Sequence, residues 1–226
     1  MITHLFFDAG NTLVFPNFVL VAETLAARGH AVDPATLERA ELETRFQLDD
    51  PELVKSSNDG ARWSLYFETI FRRSGIRDAA LIGSVLAELR EIHRTSNLWE
   101  VVPPDVPAAL RELKGRYRMS VISNANGTVR EKLRRVGLLE FFETVLDSAE
   151  EGVEKPDPRI FHAAVKRTGA RMEESLYIGD MYHIDVAGAR AAGMDVVLLD
   201  PGGLHHAKPV RRITALAALL SSIDPC

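Results

Sequence analysis

The chain of 226 residues carries one cysteine, Cys226, at its last position. A lone thiol excludes an internal disulfide and any cysteine-built metal cluster, and it fits a reducing compartment such as the cytoplasm. Lysine is scarce too, with 6 against 21 arginines, and the formal net charge of -5 leaves no broad cationic surface for a phosphate backbone. Nucleic acid is therefore disfavoured as a partner, although arginines can still line a local anion pocket. No stretch approaches the ~18 consecutive apolar residues of a membrane span, which argues against a membrane partner. The opening MITHLFF meets Asp8 within one strand length and is too short for the apolar region of a signal peptide. Aromatic residues make up only 7% of the chain, so Trp63, Tyr66, Phe67 and Phe71, gathered at helical spacing, stand out. They read as the core of one helix rather than as a substrate box.

A hydrophobic content of 46% suffices for one substantial core plus an insertion. HLFF reads as a buried strand. Helical patterns follow: Phe18, Val21, Ala22 and Leu25 stripe one face before Gly29, the aromatic stripe with Ile70 ends near Gly75, and Ile82, Val85, Leu86 and Leu89 line a third helix. After the proline-rich VVPPDVP at 101–107 the pattern alternates. Val106, Ala109, Leu110 and Leu113 mark a helix stopped by Gly115, and RMSVIS is a strand. A helix over 127–136, the strand ETVLDS, a helix over 158–168, and the strands SLYIG and MDVVLLD complete the series. Near-continuous apolar strands alternating with helices predict a parallel sheet covered on both faces. The expected fold class is α/β: a doubly wound, Rossmann-like core of residues 1–16 and 100–226, interrupted by an inserted all-helical cap of residues 17–99.

Ligands of open parallel sheets bind beyond the C-terminal strand ends. Asp8 follows HLFF, Ser123 ends RMSVIS, Asp180 follows SLYIG, and Lys155 lies in EEGVEKPDPRIF after ETVLDS. Each has a bland alternative: Ser123 and Asp185 as helix caps, Asp157-Pro158 as a cap and first-turn pair, Lys155 as a solvated side chain. Together they form a phosphoryl-handling set. Two carboxylates can hold Mg²⁺, Lys155 and Ser123 can neutralise phosphoryl oxygens, and Asp8 can attack phosphorus.

In order and spacing, DAGNTL, VISNA, KPDPRIF and GDMYHIDVAGARAAGM resemble the four motifs of the haloacid dehalogenase superfamily, in the branch with a helical cap after the first strand. The resemblance implies Asp8 as nucleophile and Mg²⁺ ligand, with the main-chain carbonyl of Gly10 as a second ligand. It implies Ser123, Asn124 and Lys155 at the phosphoryl group, Asp180 and Asp185 at the metal, and Thr12 supporting the nucleophile loop. The implied partner is a small phosphorylated metabolite reached between cap and core, by a monomer or homodimer.

Gly10 departs from that pattern, because phosphatases of the superfamily usually carry there an aspartate that protonates the leaving oxygen. Glycine keeps the carbonyl but removes the proton shuttle, a loss of ~10²–10⁴-fold for poor leaving groups. The leading expectation is a Mg²⁺-dependent phosphatase that is slow or restricted to good leaving groups. A haloacid dehalogenase needs no acid at this step, but its relatives use no metal. Phosphonatase-like chemistry would need a Schiff-base lysine in the cap, where Lys55 is the one lysine and reads as solvated. A non-catalytic phosphate-binding protein is the remaining class. His183, His205 and His206 lack zinc spacing and read as loop or surface histidines, and Arg72 and Arg73 read as helix C-terminal charges.

Overall fold

The computed structural model describes residues 1–223, so Cys226 lies outside the described residues. Two compact units emerge: Met1–Phe15 with Val101–Cys226, and Pro16–Glu100. Along the chain run β1 (His4–Phe7), β2 (Phe15–Pro16), α1 (Phe18–Ala26), α2 (Pro34–Leu48), α3 (Pro51–Ser56), α4 (Asp59–Arg73), α5 (Ala79–Thr95) and β3 (Trp99–Val101). There follow α6 (Asp105–Lys114), β4 (Arg118–Ser123), α7 (Val129–Arg135), β5 (Thr144–Asp147), α8 (Ser148–Glu151) and α9 (Pro158–Thr168). The last elements are β6 (Ser175–Gly179), α10 (Ala187–Ala192), β7 (Asp195–Leu199), β8 (Arg211–Ile213) and α11 (Leu219–Ile223).

The first unit is a doubly wound α/β domain. Its sheet has the order β5-β4-β1-β6-β7-β8, parallel throughout. HLFF and SLYIG are buried at every position, as strands covered on both faces must be. From β1 the chain builds outward through β4 and β5, then returns to the other side of β1 to lay down β6, β7 and β8. That reversal puts the topological switch at the C-terminal ends of β1 and β6, where open sheets leave a crevice. Phe6, Ile122, Leu146, Ile160, Phe161 and Tyr177 belong to the core packed around it.

The second unit is helical. Asp33, Asp50, Asn58 and Asp78 cap α2, α3, α4 and α5 by accepting first-turn N–H groups, and Pro34 and Pro51 occupy the first helical position. Phe18, Val21, Leu25, Phe67, Ile70 and Phe71 share its core with Ile82, Val85 and Leu89, and Trp63 packs against it. Inside it the Arg45 Nε lies 2.9 Å from Glu41 Oε1, which also accepts from the Tyr66 hydroxyl at 3.1 Å. Burial pushes the Glu41 carboxyl above its ordinary range, against the pull of Arg45.

Some elements depart from the sequence pattern. The ribbon of β2 and β3 and the edge strand β8 carry no signal: each has two or three residues, and the RRI of β8 exposes two arginines. His205, read as a loop or surface histidine, is in a loop but buried, because Asp200 accepts from its backbone N–H at 3.0 Å and lies 3.4 Å from its Nδ1. Lys55 is solvated, 71% exposed and 3.0 Å from Glu52, which leaves the Schiff-base reading without a desolvated amine. Among the described residues no helix is long and apolar enough to cross a membrane.

Candidate active site

The crevice residues come from neighbouring strand ends. Phe7 is in register with Val121 of β4 and Ile178 of β6, so Asp8 is level with Ile122 and Gly179, and Ser123 and Asp180 follow one residue further along strands spaced about 4.8 Å apart. Asp8 extends the ladder by one bond, from its N–H to Ile178 O at 2.8 Å. The chain then folds tightly: Leu13 and Val14 donate to Ala9 O, Asn11 donates to Val14 O, and Asn11 takes the left-handed conformation at φ 55. Gly10 lies in this turn, bridged to Val14. Thr12 is fully buried within it, and its Oγ1 has no hydrogen-bond partner among the described residues. Its support of the loop is packing.

Lys155 is the hub. Only 2% exposed, its ammonium donates to Asp8 Oδ1 at 2.6 Å, Asp185 Oδ1 at 2.7 Å and the Tyr177 hydroxyl at 2.8 Å. The solvated alternative for this lysine is thereby overturned. Burial alone would lower its pKa, but the charges of Asp185 and Asp8 outweigh burial and hold it above the ordinary lysine range. Burial pushes the Asp8 carboxyl up to about 6, against the downward pull of Lys155. Tyr177 is raised well above its usual value, first by burial and then by Asp185 and Asp8, so it is a neutral hydroxyl.

Asn124, expected at the substrate, has its amide committed elsewhere: Nδ2 donates to Lys155 O at 2.9 Å and Oδ1 accepts from Lys155 N at 2.8 Å. This reciprocal pair fixes the backbone that carries the ammonium. Ser123 is buried at the end of β4, and its hydroxyl lies 3.4 Å from Asn124 O. The loop after it hangs on β5, because Asp147 Oδ2 accepts from Gly127 N and Val129 N, and Ser148 Oγ accepts from Ala125 N at 3.0 Å.

Asp185 lies on a single π-helical turn, Tyr182–Val186, with Val186 N donating to Met181 O. Such turns are rare and gather at functional sites. The turn aims the carboxylate back under Gly179, where an added Cβ would sit 2.4 Å from Asp185 Cγ. Four protein donors engage the two oxygens of Asp185: Lys155 and Tyr177 at Oδ1, Asp180 N and Met181 N at Oδ2. A carboxylate has about four lone-pair sites, so this one is filled by the protein.

Asp8, Asp180 and Asp185 are all buried and each offers an oxygen within 4.8 Å of the others. Three clustered carboxylates, two of them on the Lys155 ammonium, form a hard-oxygen set with surplus negative charge, which fits Mg²⁺. Since Asp185 is occupied, Asp8 and Asp180 are the carboxylates suited to direct ligation, with Asp185 behind them. Sequence reading missed Tyr177 and Asp147. Two signals were visible: a phenol hydroxyl in the middle of SLYIG and an aspartate near the end of ETVLDS.

The profile of the haloacid dehalogenase-like hydrolases matches residues 2–193. The glyceraldehyde 3-phosphate phosphatase of Methanopyrus kandleri is 31% identical over 92% of this chain and 88% of its own length. A haloacid dehalogenase-like hydrolase domain-containing protein 3 from Bos taurus is 32% identical over 72% of this chain and 67% of its own. Among solved structures, a 2-haloacid dehalogenase from Pseudomonas syringae superposes with a TM-score of 0.63 at 24% identity, over 99% of this chain and 98% of that one, a likeness of fold. The sheet order, the strand-end residues and these matches place the chain in the haloacid dehalogenase-like hydrolase family.

Proposed function

We propose that the protein is a Mg²⁺-dependent phosphatase of a small phosphorylated metabolite, working through an aspartyl-phosphate on Asp8. One observation carries the reading: the Asp8 carboxylate, at the C-terminal end of the central strand, is held at 2.6 Å by a buried ammonium and stands with two further buried carboxylates. The similarity to glyceraldehyde 3-phosphate phosphatases supports phosphoryl transfer over other chemistry on this fold. Asp8, Asp180 and the Gly10 carbonyl would hold Mg²⁺, with Asp185 fixing the loop behind them. When bound, the cation offsets the negative charge of the phosphoryl oxygens.

In the first step a carboxylate oxygen of Asp8 bonds to phosphorus as the ester P–O bond breaks, and the leaving oxygen takes the bonding pair. Lys155 and the Ser123 hydroxyl donate to phosphoryl oxygens. Gly10 offers no proton, so the departing oxygen is protonated by solvent. In the second step water attacks phosphorus and releases a proton to solvent, the bond between the Asp8 oxygen and phosphorus breaks with its electron pair returning to that oxygen, inorganic phosphate leaves, and the carboxylate is restored. Esters and acyl phosphates with stable leaving groups are the substrates this arrangement favours. We place this chemistry in the cytoplasm, in a monomer or homodimer.

The test is hydrolysis of p-nitrophenyl phosphate, acetyl phosphate and glyceraldehyde 3-phosphate with and without Mg²⁺, beside Asp8→Asn and a 2-haloacid. Mg²⁺-dependent phosphate release abolished by Asp8→Asn is the expected result. Metal-independent halide release with no phosphate release would instead assign dehalogenation.

A further inference from the structure

We propose that Tyr177 is a positioning residue for phosphoryl transfer, holding the Lys155 ammonium so that a single N–H is presented to Asp8 and to the phosphoryl group transferred onto it. The proposal rests on the phosphatase reading above.

An ammonium has three N–H donors. In Lys155 all three are placed, on Asp8, Asp185 and Tyr177. Two of these acceptors are built into the protein. Asp185 is locked by the N–H groups of Asp180 and Met181, at 3.0 and 2.9 Å. The Tyr177 ring is fully buried and braced edge-on against Phe161, centroids 5.1 Å apart. Its hydroxyl is 3.1 Å from both Ile122 O and Asp185 Oδ1. It has one proton for these two acceptors, so its oxygen keeps a lone pair for Lys155 whichever it serves.

The third N–H points at Asp8, the one partner of Lys155 that changes during the reaction. When the Asp8 oxygen bonds to phosphorus it loses its negative charge, the leaving oxygen gains one, and the same N–H is already aimed at the phosphoryl oxygens now attached to Asp8. Without the tyrosine hydroxyl one N–H is released, all three are shared among Asp8, Asp185 and substrate, and the ammonium can rotate between them. The tyrosine acts through Lys155 and does not touch substrate. Losing it weakens the transition state more than substrate binding, because the N–H aimed at Asp8 meets the phosphoryl oxygens fully only as the Asp8–phosphorus bond forms.

The test compares Tyr177→Phe, which deletes one oxygen and keeps the ring, with Phe161→Leu, which loosens the same packing and keeps the hydroxyl. Three readings are taken: kcat and KM for p-nitrophenyl phosphate with Mg²⁺, thermal unfolding, and solvent exchange of the Lys155 ammonium protons by ¹⁵N-lysine NMR. Tyr177→Phe should lower kcat about tenfold, the scale of one hydrogen bond in a barrier, with KM within about twofold. Its Lys155 protons should exchange faster, and its unfolding midpoint should stay within a few degrees of the wild type. Phe161→Leu should lower the midpoint while keeping the folded protein's kcat. The proposal is overturned if kcat of folded Tyr177→Phe is unchanged, if its activity falls only in step with the unfolded fraction, or if ammonium exchange is unaltered. A wild type inactive on every phosphate offered would sink the phosphatase reading instead. The NMR comparison then decides the restraint of Lys155 by itself, since it needs no turnover.

Discussion

In the proposed mechanism Gly10 separates binding from turnover at the level of one side chain. The left-handed backbone of the nucleophile loop falls on Asn11 at φ 55, so the conformation of the turn does not explain the glycine. Gly10→Asp is expected to raise kcat for alkyl phosphates by about 10²-fold, the low side of general acid catalysis, and to change aryl phosphates little. Steady-state assays on both classes check this, and equal gains on both would mean the new carboxylate is not a proton donor. Asn124 makes a different prediction. Because both amide atoms are bonded to the Lys155 backbone, Asn124→Ala should cost roughly 1–3 kcal/mol in urea unfolding and lower kcat through the displaced ammonium. A substrate-contact role would show instead as a raised KM with stability unchanged. Asp8, Ser123, Lys155 and Asp180 were legible as residues because strand-end polar groups stand out against apolar runs. Their partners were not. The split of Asp185 between Lys155, Tyr177 and two backbone N–H groups depends on a π-helical turn that no spacing rule signals.

Between elements, two glycines set how closely loops approach the site. A Cβ on Gly179 would meet Asp185 Cγ at 2.4 Å, and one on Gly188 would meet Phe161 Cε2 at 2.8 Å and Pro156 Cα at 3.0 Å. Gly179→Ala should displace the carboxylate that anchors Lys155, with activity lost by more than about tenfold. Gly188→Ala should press α10 away from the Lys155-Pro156 segment, at a cost of about 1–3 kcal/mol. Thermal melts and kcat on both variants test the pair, and a wild-type rate in Gly179→Ala would refute the close approach. HLFF, RMSVIS and SLYIG were legible as strands β1, β4 and β6 because burial on both faces leaves unbroken apolar runs. RRI of β8 was not, since its pairing with β7 is a main-chain matter and its side chains look like surface.

Across the whole molecule, proton uptake links the N-terminal end of the central strand, opposite the candidate site, to stability. His4 opens β1 with its ring 3.0 Å from Ser120 Oγ, and burial lowers its pKa to about 4 despite the nearby Glu143. Below the unfolded value near 6.5 the unfolded chain binds a proton that the folded chain refuses. Stability therefore falls with pH, by at most about 1.4 kcal/mol per unit from this group, and the loss levels off below about pH 4. Urea unfolding at pH 7, 5.5 and 4.5 should show that slope, and His4→Asn should flatten it relative to the wild type.

The span between Asp8 and Lys155, 147 residues, has a consequence for how the protein comes into being. On the ribosome Asp8 is made before its counter-ion, which follows only after β4 and β5 have been synthesised. Contacts at such separation form late, because loop closure precedes their reward. A nascent or truncated chain ending before Lys155 thus carries the attacking carboxylate without the cation that organises it. The organised site forms only once Lys155 and Asp185 have joined Asp8, and recovery of activity during refolding should lag behind the recovery of helical signal.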